Sequence, residues 1–181
     1  MDAPILNSGA RLRIVGATTD LQYQQVRELI AELTEWDAAQ AAQLGLNAHE
    51  VQEFYYPTGT QDLAGAYTPP QGCLLLATIS EKAAGCGAFH KMTPATCELK
   101  RMYVRPEFRR MGIGRQMGKA LIIAAKRSGY RLMRLETTTF MGNAAAMYAS
   151  LGFKRCSSYY VIPESFRAST VFMDLDLTLA S

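Results

Sequence analysis

No apolar run in the chain approaches the roughly 18 residues that a membrane-spanning helix needs. The longest, around Cys73–Thr78 and Ala120–Ala125, are the size of a buried strand and a helix face. Residues 1–10 lack a basic stretch followed by an apolar one, so no secretory leader is expected. Histidine is scarce: His49 and His90 stand alone, and the four cysteines, Cys73, Cys86, Cys97 and Cys156, form no C-x-x-C pair. That argues against a zinc site, and isolated thiols suit a reducing compartment, so the expected location is cytoplasmic. Repeats, low-complexity tracts and linkers are also missing. With 49% hydrophobic and 19% charged residues, disordered, collagen-like and coiled-coil classes are excluded. A chain of 181 residues is expected to form a single domain over 1–181, with 1–10 as a flexible N-terminus. At this size, folding buries about 70% of the unfolded surface, enough to need no staples.

The net charge of +3 is too small to argue for nucleic acid, but its distribution is uneven. Between Lys100 and Arg115 stand Lys100, Arg101, Arg105, Arg109, Arg110 and Arg115 against one acid, Glu107. Between Asp20 and Pro70 stand eight acids (Asp20, Glu28, Glu32, Glu35, Asp37, Glu50, Glu53, Asp62) against one base, Arg27. Part of the molecule is therefore built to attract an anion and part a cation, unless both stretches are solvated faces.

Periodicity supplies the elements. Arg11–Ala17 alternates as a first strand, and Thr19 with Gln22 makes a capping box for a helix buried along Tyr23, Val26, Ile30 and Leu33. A weaker helix, weakened by Gly45, reaches about Phe54, and Tyr55–Gln71 reads as loop. Strands follow at Cys73–Ile79, Ala84–Met92 and Cys97–Val104. The clearest helix is Ile113–Ser128, with Gly129 at its C-cap. Leu132–Thr138 is a strand and Ala144–Leu151 a short helix stopped by Gly152. Phe153–Ile162 and Ser169–Leu177 read as a final hairpin. The expected class is α/β (α+β): a mixed sheet with helices on both faces.

Chemistry concentrates in Arg109-Arg110-Met111-Gly112-Ile113-Gly114, between a strand and a helix. Two glycines let the backbone curl around an anion, and the first helical N–H groups then point at it, aided by the helix dipole. Flanking Arg109, Arg110 and Arg115 add charge-assisted contacts. A Walker loop is excluded because Arg115-Gln116 follows Gly114, and a dinucleotide fingerprint because Gly118 falls one place late.

With the run Leu99 to Gly114 and the downstream Ala144 and Tyr148-Ala149-Ser150-Leu151-Gly152-Phe153, the chain resembles the GNAT acetyltransferase superfamily over roughly 73–177. It is particularly similar to small bacterial members with a late tyrosine pair, here Tyr159-Tyr160. The resemblance implies a mostly antiparallel sheet of about seven strands, splayed in the middle. It also implies acetyl-CoA, or another acyl-CoA, as co-substrate without a metal. The pyrophosphate is expected on the amides of Arg110, Met111, Gly112, Ile113, Gly114 and Arg115. The pantetheine arm is expected along the backbone of Met102, Tyr103 and Val104, where a backbone N–H would polarise the thioester carbonyl. Many relatives carry Asn seven residues before the tyrosine; here Met141 stands there. Asn143 is then either a cofactor contact or, the favoured reading, the N-cap of the short helix.

Direct transfer to an amine needs a base, because an ammonium must lose a proton before it attacks, and an acid for the departing thiolate. Glu98 is the expected base, on the same strand face as Lys100 and Met102, with pairing to Lys100 or Arg101 as the bland reading and Glu136 as its rival. Tyr148 falls at the family's acid position, or is a core aromatic. Trp36, Tyr55, Tyr56, Tyr67, Tyr159 and Tyr160 are candidates for an acceptor pocket. Cys97 has no activating neighbour in sequence, so a thiol-relay mechanism is not expected. The expected function is transfer of an acetyl group to a small, cationic primary amine such as a polyamine or aminosugar. The alternatives are a peptide N-terminus as acceptor, or a non-catalytic acyl-CoA sensor. No nucleic-acid or membrane partner is expected; the superfamily often forms homodimers.

Overall fold

The structure is a computed structural model, which describes residues 11–56 and 63–179. Seven strands form one sheet in the order β1 (Leu12–Gly16), β2 (Cys73–Ile79), β3 (Lys82–Lys91), β4 (Thr96–Val104), β5 (Leu132–Thr138), β7 (Thr170–Asp176), β6 (Lys154–Arg155). All neighbours are antiparallel except β4 and β5, which run parallel. A parallel pair needs a crossover. Helix α4 (Ile113–Arg127) supplies it, ending against Gly129, whose φ of +85° suits glycine.

Helices α1 (Asp20–Gln43), α2 (Ala48–Tyr55) and the one-turn α3 (Leu63–Ala66) lie on one side of the sheet, α4 and α5 (Gly142–Ser150) on the other. The capping box at the start of α1 is formed: the Thr19 hydroxyl accepts from the Gln22 N–H, and the Gln22 side chain accepts from the Thr19 N–H. Val26, Leu29, Ile30 and Leu33 of α1 are buried against Leu74, Leu76, Cys86, Ala88 and Tyr103. Each such burial contributes about 1.5–3 kcal/mol. On the other side Met117, Leu121, Ile122 and Ala125 of α4 pack on β2, β3 and β4. The two helices α4 and α5 come so close that a Cβ on Gly118 would stand 2.6 Å from Leu151 Cδ1.

Most boundaries match the periodicity, but the expected last hairpin is cut short to a two-residue antiparallel pairing of β6 with β7. Of Phe153–Ile162, only Lys154–Arg155 is strand, and α6 (Glu164–Arg167) interrupts the path to β7. The chain leaves the edge because two rings pull it inward. Tyr159 and Tyr160 pack edge-on against Phe172, at 4.9 and 5.2 Å between centroids, and the Tyr159 hydroxyl reaches Glu98. The expected loop 55–71 contains α3, and its residues 57–62 lie outside the described ones, as do residues 1–10.

Candidate active site

The β4–β5 ladder runs from Thr96↔Leu132 to Leu99↔Leu135 and then ends, although both strands continue. From Lys100 onward β4 is paired only with β3, so its edge facing β5 is open. Two adjoining irregularities shape this opening. Arg101 adopts φ +58°, and the β3 register jumps from Ala88↔Lys100 to Cys86↔Tyr103. This is a β-bulge, with Arg101 as the additional residue. It resets the alternation: Lys100 and Arg101 both serve the α1/α2 side, while Met102 packs towards α4. The expectation that Glu98, Lys100 and Met102 share one face is corrected by this single residue.

A cavity of about 80 Å³ occupies the splay. Leu99, Met102, Thr137 and Tyr148 line it from the α4/α5 side; Leu33, Asp37, Val51, Tyr55 and Tyr56 line it from the α1/α2 side. Lys100, Arg101, Glu136 and Thr138 complete its polar wall. Among the described residues, five buried side-chain polar atoms have no hydrogen-bond partner. Four of them, Asp37 Oδ1, Arg101 Nε, Glu136 Oε2 and Thr138 Oγ1, belong to residues of this wall. An unmet buried polar atom costs about 1–3 kcal/mol, so such a concentration marks a place where something polar completes the protein.

The two candidate bases stand differently. Glu98 does not line the cavity. It accepts from His90 Nε2 at 3.1 Å and from the Tyr159 hydroxyl at 2.8 Å, with Lys100 Nζ 3.5 Å away. Burial alone would raise its pKa, but the His90 hydrogen bond, the Lys100 charge and the Tyr159 hydroxyl together hold it below the usual carboxylate range. Glu136 lines the cavity and binds Lys100 Nζ through Oε1 at 2.5 Å, leaving Oε2 open. Its side chain is only 9% exposed, and burial raises its pKa despite the Lys100 charge. Tyr148 packs edge-on against Phe153 and lines the cavity; burial pushes its phenol up, so it keeps its proton at neutral pH. It is at once a core aromatic and a cavity wall.

Asp37 and Arg101 were not singled out by the sequence. Asp37 accepts from the Tyr56 hydroxyl in a short hydrogen bond, and burial raises its pKa to about 6 against the Tyr56 hydrogen bond and the Arg101 charge. Arg101 donates from Nη1 to the Tyr55 carbonyl at 3.2 Å and lies 4.6 Å over the Tyr56 ring. Nothing distinguishes Asp37 from seven other acids in its stretch, and a bulge has no signature in the residue pattern here.

The glycine turn has the geometry of an anion cradle. Arg110 and Gly112 have φ +62° and +75°, and no side chain caps the start of α4. The first amides of α4, at Ile113, Gly114 and Arg115, therefore point out of the helix end. Ile113 is itself buried, Met111 is packed beside it, and Arg110 and Arg115 are exposed. Gly114 lies close to Met147 of α5 and Val104 of β4, so the turn abuts the open end of the splay. Arg109 turns away: its Nε donates to the Val104 carbonyl at 3.0 Å, and its guanidinium lies over Trp36 and Tyr103. The expected phosphate contact from Arg109 is thus replaced by a tether between β4 and α1. Asn143 lies inside the first turn of α5 and is exposed; Met141 holds the N-cap position, correcting the expected cap.

The basic run is likewise not one patch. Lys100 is paired with Glu136, and Arg105 forms a forked pair with Glu32 at 2.7–3.0 Å. Of the eight acids, Asp37 lines the cavity, Glu32 is paired, Asp62 lies outside the described residues, and the rest are exposed. The aromatic candidates divide too. Tyr55 and Tyr56 line the cavity; Trp36 packs on Phe140, Tyr67 on His90, and Tyr159 and Tyr160 on Phe172. Cys97 is fully buried, which pushes its thiol up to about 12, far from a nucleophile.

The family model described as "Acetyltransferase (GNAT) family" matches residues 27–153. The chain belongs to the GNAT acetyltransferase family. It is an N-acetyltransferase by that membership. A curated relative, an uncharacterized N-acetyltransferase of Schizosaccharomyces pombe, is 37% identical over 114 residues, covering 62% of this chain and 68% of that one. GNAT relatives of this chain therefore extend beyond bacteria. A Streptococcus agalactiae acetyltransferase superposes with TM-score 0.69 at 17% identity, covering 91% of this chain and 98% of its own. A Bacillus subtilis acetyltransferase solved in complex with CoA superposes with TM-score 0.56 at 17% identity, covering 92% and 98%. At these identities the two structures share the GNAT fold. The splayed β4–β5 pair and the glycine turn of this chain are the parts that suit a CoA thioester.

Proposed function

We propose that this GNAT protein transfers an acetyl group from acetyl-CoA directly to the primary amine of a small acceptor. The observation that carries the reading is the cavity in the splay, lined by an unpaired carboxylate oxygen of Glu136 and by Tyr148. The thioester is a substrate here. The turn at Arg110–Arg115 is suited to its pyrophosphate, and the open β4 edge at Met102–Val104 to its arm. A backbone N–H on that edge polarises the thioester carbonyl.

The acceptor enters from the α1/α2 side as an ammonium. Glu136 takes one proton from it, with Lys100 holding the carboxylate in place. The freed amine forms the N–C bond as the C–S bond breaks. Tyr148 gives its hydroxyl proton to the departing sulfur and is reprotonated by the second proton leaving nitrogen. The sum is an amide, a free CoA thiol and one proton left on Glu136 for solvent. Glu136 takes the base role here in preference to Glu98, whose oxygens are already occupied.

Calorimetric titration with acetyl-CoA, with ATP and NAD as controls, tests the donor. Micromolar binding of acetyl-CoA alone, followed by amine-dependent thiol release, is the expected outcome; absence of binding overturns the donor assignment. Tyr148→Phe keeps the ring against Phe153 and should cut kcat by roughly 10²-fold while leaving acetyl-CoA binding in place. Unchanged turnover removes Tyr148 from the acid role.

A further inference from the structure

The wall of the cavity carries more information than a base and an acid. Among the described residues, its charged side chains are two acids, Asp37 and Glu136, and two bases, Lys100 and Arg101, and these give a polycation no net attraction. The unmet atoms are also of both kinds. Asp37 Oδ1 and Glu136 Oε2 ask for N–H donors; Arg101 Nε–H asks for an acceptor; Thr138 Oγ1 serves as either. Other atoms of these residues are held inside the protein. Glu136 Oε1 is on Lys100, Asp37 Oδ2 is on Tyr56, and Arg101 Nη1 is on the Tyr55 carbonyl with its face on the Tyr56 ring. What is left open is one set for an ammonium and one for an oxygen acceptor. The Arg101 bulge is what brings the second set to the same wall, by placing Arg101 on the same side as Lys100.

Size narrows the choice. A cavity of about 80 Å³ has room for on the order of six water-sized groups. A small amino acid is of that size, whereas an extended polyamine would leave most of its length outside, without contact to the wall.

We infer that the acceptor is a zwitterion, a free amino acid of small side chain, with its ammonium between Asp37 and Glu136 and its carboxylate on Arg101 Nε and Thr138. This inference rests on the transferase reading above and names its acceptor class. The same wall departs from the polyamine or aminosugar expected from the acidic stretch, since among the described residues Asp37 is the one acid of that stretch on the wall and Arg101 offsets it.

The test is thiol release from acetyl-CoA with each of the twenty amino acids. The controls are ethylamine, putrescine and spermidine, and alaninamide, which keeps the amine and removes the carboxylate charge. A small amino acid should exceed ethylamine in kcat/KM by about 10²-fold or more, in line with a site whose polar groups go unmet when the partner group is missing. Arg101→Met should reduce that ratio to within a few-fold, and Thr138→Val should reduce it in the same direction. Thr138→Val gives a second readout should Arg101→Met fail to fold. Equal or better turnover of ethylamine or the polyamines overturns the zwitterion while leaving the transferase intact. Equal turnover of alaninamide also overturns it and points to a peptide N-terminus. Thiol release with none of these amines, despite acetyl-CoA binding, overturns the small-amine reading itself.

Discussion

Two glutamates on adjacent strands show how a single side chain's surroundings set its chemistry. Glu98 and Glu136 are both buried strand carboxylates, and the residue pattern favours Glu98 because it alternates with Lys100 and Met102 along β4. In the fold, Glu98 is held by His90, Tyr159 and Lys100, and its pKa is lowered by those partners despite burial. A carboxylate in that state is a poor proton acceptor. Glu136 keeps an open oxygen on the cavity, and burial raises its pKa, which makes it the stronger base of the two. Glu136→Gln should therefore lower kcat by roughly 10²-fold or more with little change in the KM for acetyl-CoA. Glu98→Gln should lower kcat less than about fivefold and act mainly on thermal stability, because it loosens a buried hydrogen-bonded group. Steady-state kinetics and thermal melts of both variants decide the matter. If the Glu98 variant suffers the larger kcat loss, the base assignment reverses. The distinction was beyond the sequence because His90 and Tyr159 meet Glu98 through a strand register and a chain excursion that local patterning does not encode.

Elements that local pattern governs were legible; elements whose geometry depends on a neighbour were not. The capping box of α1, the α4 face, Gly129 and Gly152 follow from short-range rules, and β2 and β5 match in full. The bulge at Arg101 and the inward path of Tyr159–Tyr160 arise from pairing with β3 and packing on Phe172, so no window of sequence announces them. The glycine turn lies between these cases. Its residues are visible in sequence, and the fold adds that Gly112 needs its left-handed conformation while a Cβ there would meet nothing closer than Gln116 Nε2 at 3.9 Å. The cost of Gly112→Ala is thus conformational, about 1–2 kcal/mol, and not steric. In a protein of this size that corresponds to a fall in Tm of a few degrees. The amides at the head of α4 would shift with the turn, so the Kd for acetyl-CoA should rise by about tenfold. Calorimetry and a thermal melt of the variant check both. A Tm loss without weaker binding would take the turn out of the binding site.

At the scale of the whole molecule, the cavity exists because distant parts of the chain close on one opening in the sheet. Asp37 comes from α1, Tyr56 follows α2, Arg101 is on the β4 bulge and Glu136 on β5. That assembly has a thermodynamic signature. Burial raises Asp37 to about 6 from an ordinary value of 3.8, so in the pH interval between them the folded protein holds a proton that the unfolded chain has lost. Below the interval Asp37 is neutral in both states and contributes no penalty. As pH rises through it, the folded state must bury the ionised form, and stability falls, by on the order of 3 kcal/mol at most once pH exceeds about 6. Asp37→Asn keeps the shape and an oxygen for the Tyr56 hydroxyl but cannot ionise. Its Tm relative to the parent should therefore climb between about pH 4 and 6 and level off above. Melts of both proteins across that range, without substrates, measure the difference directly, and a flat difference would mean that Asp37 is ionised at no cost. The climb would show the cavity to be built against stability, with a carboxylate held ready in a closed fold for a cation that arrives from outside.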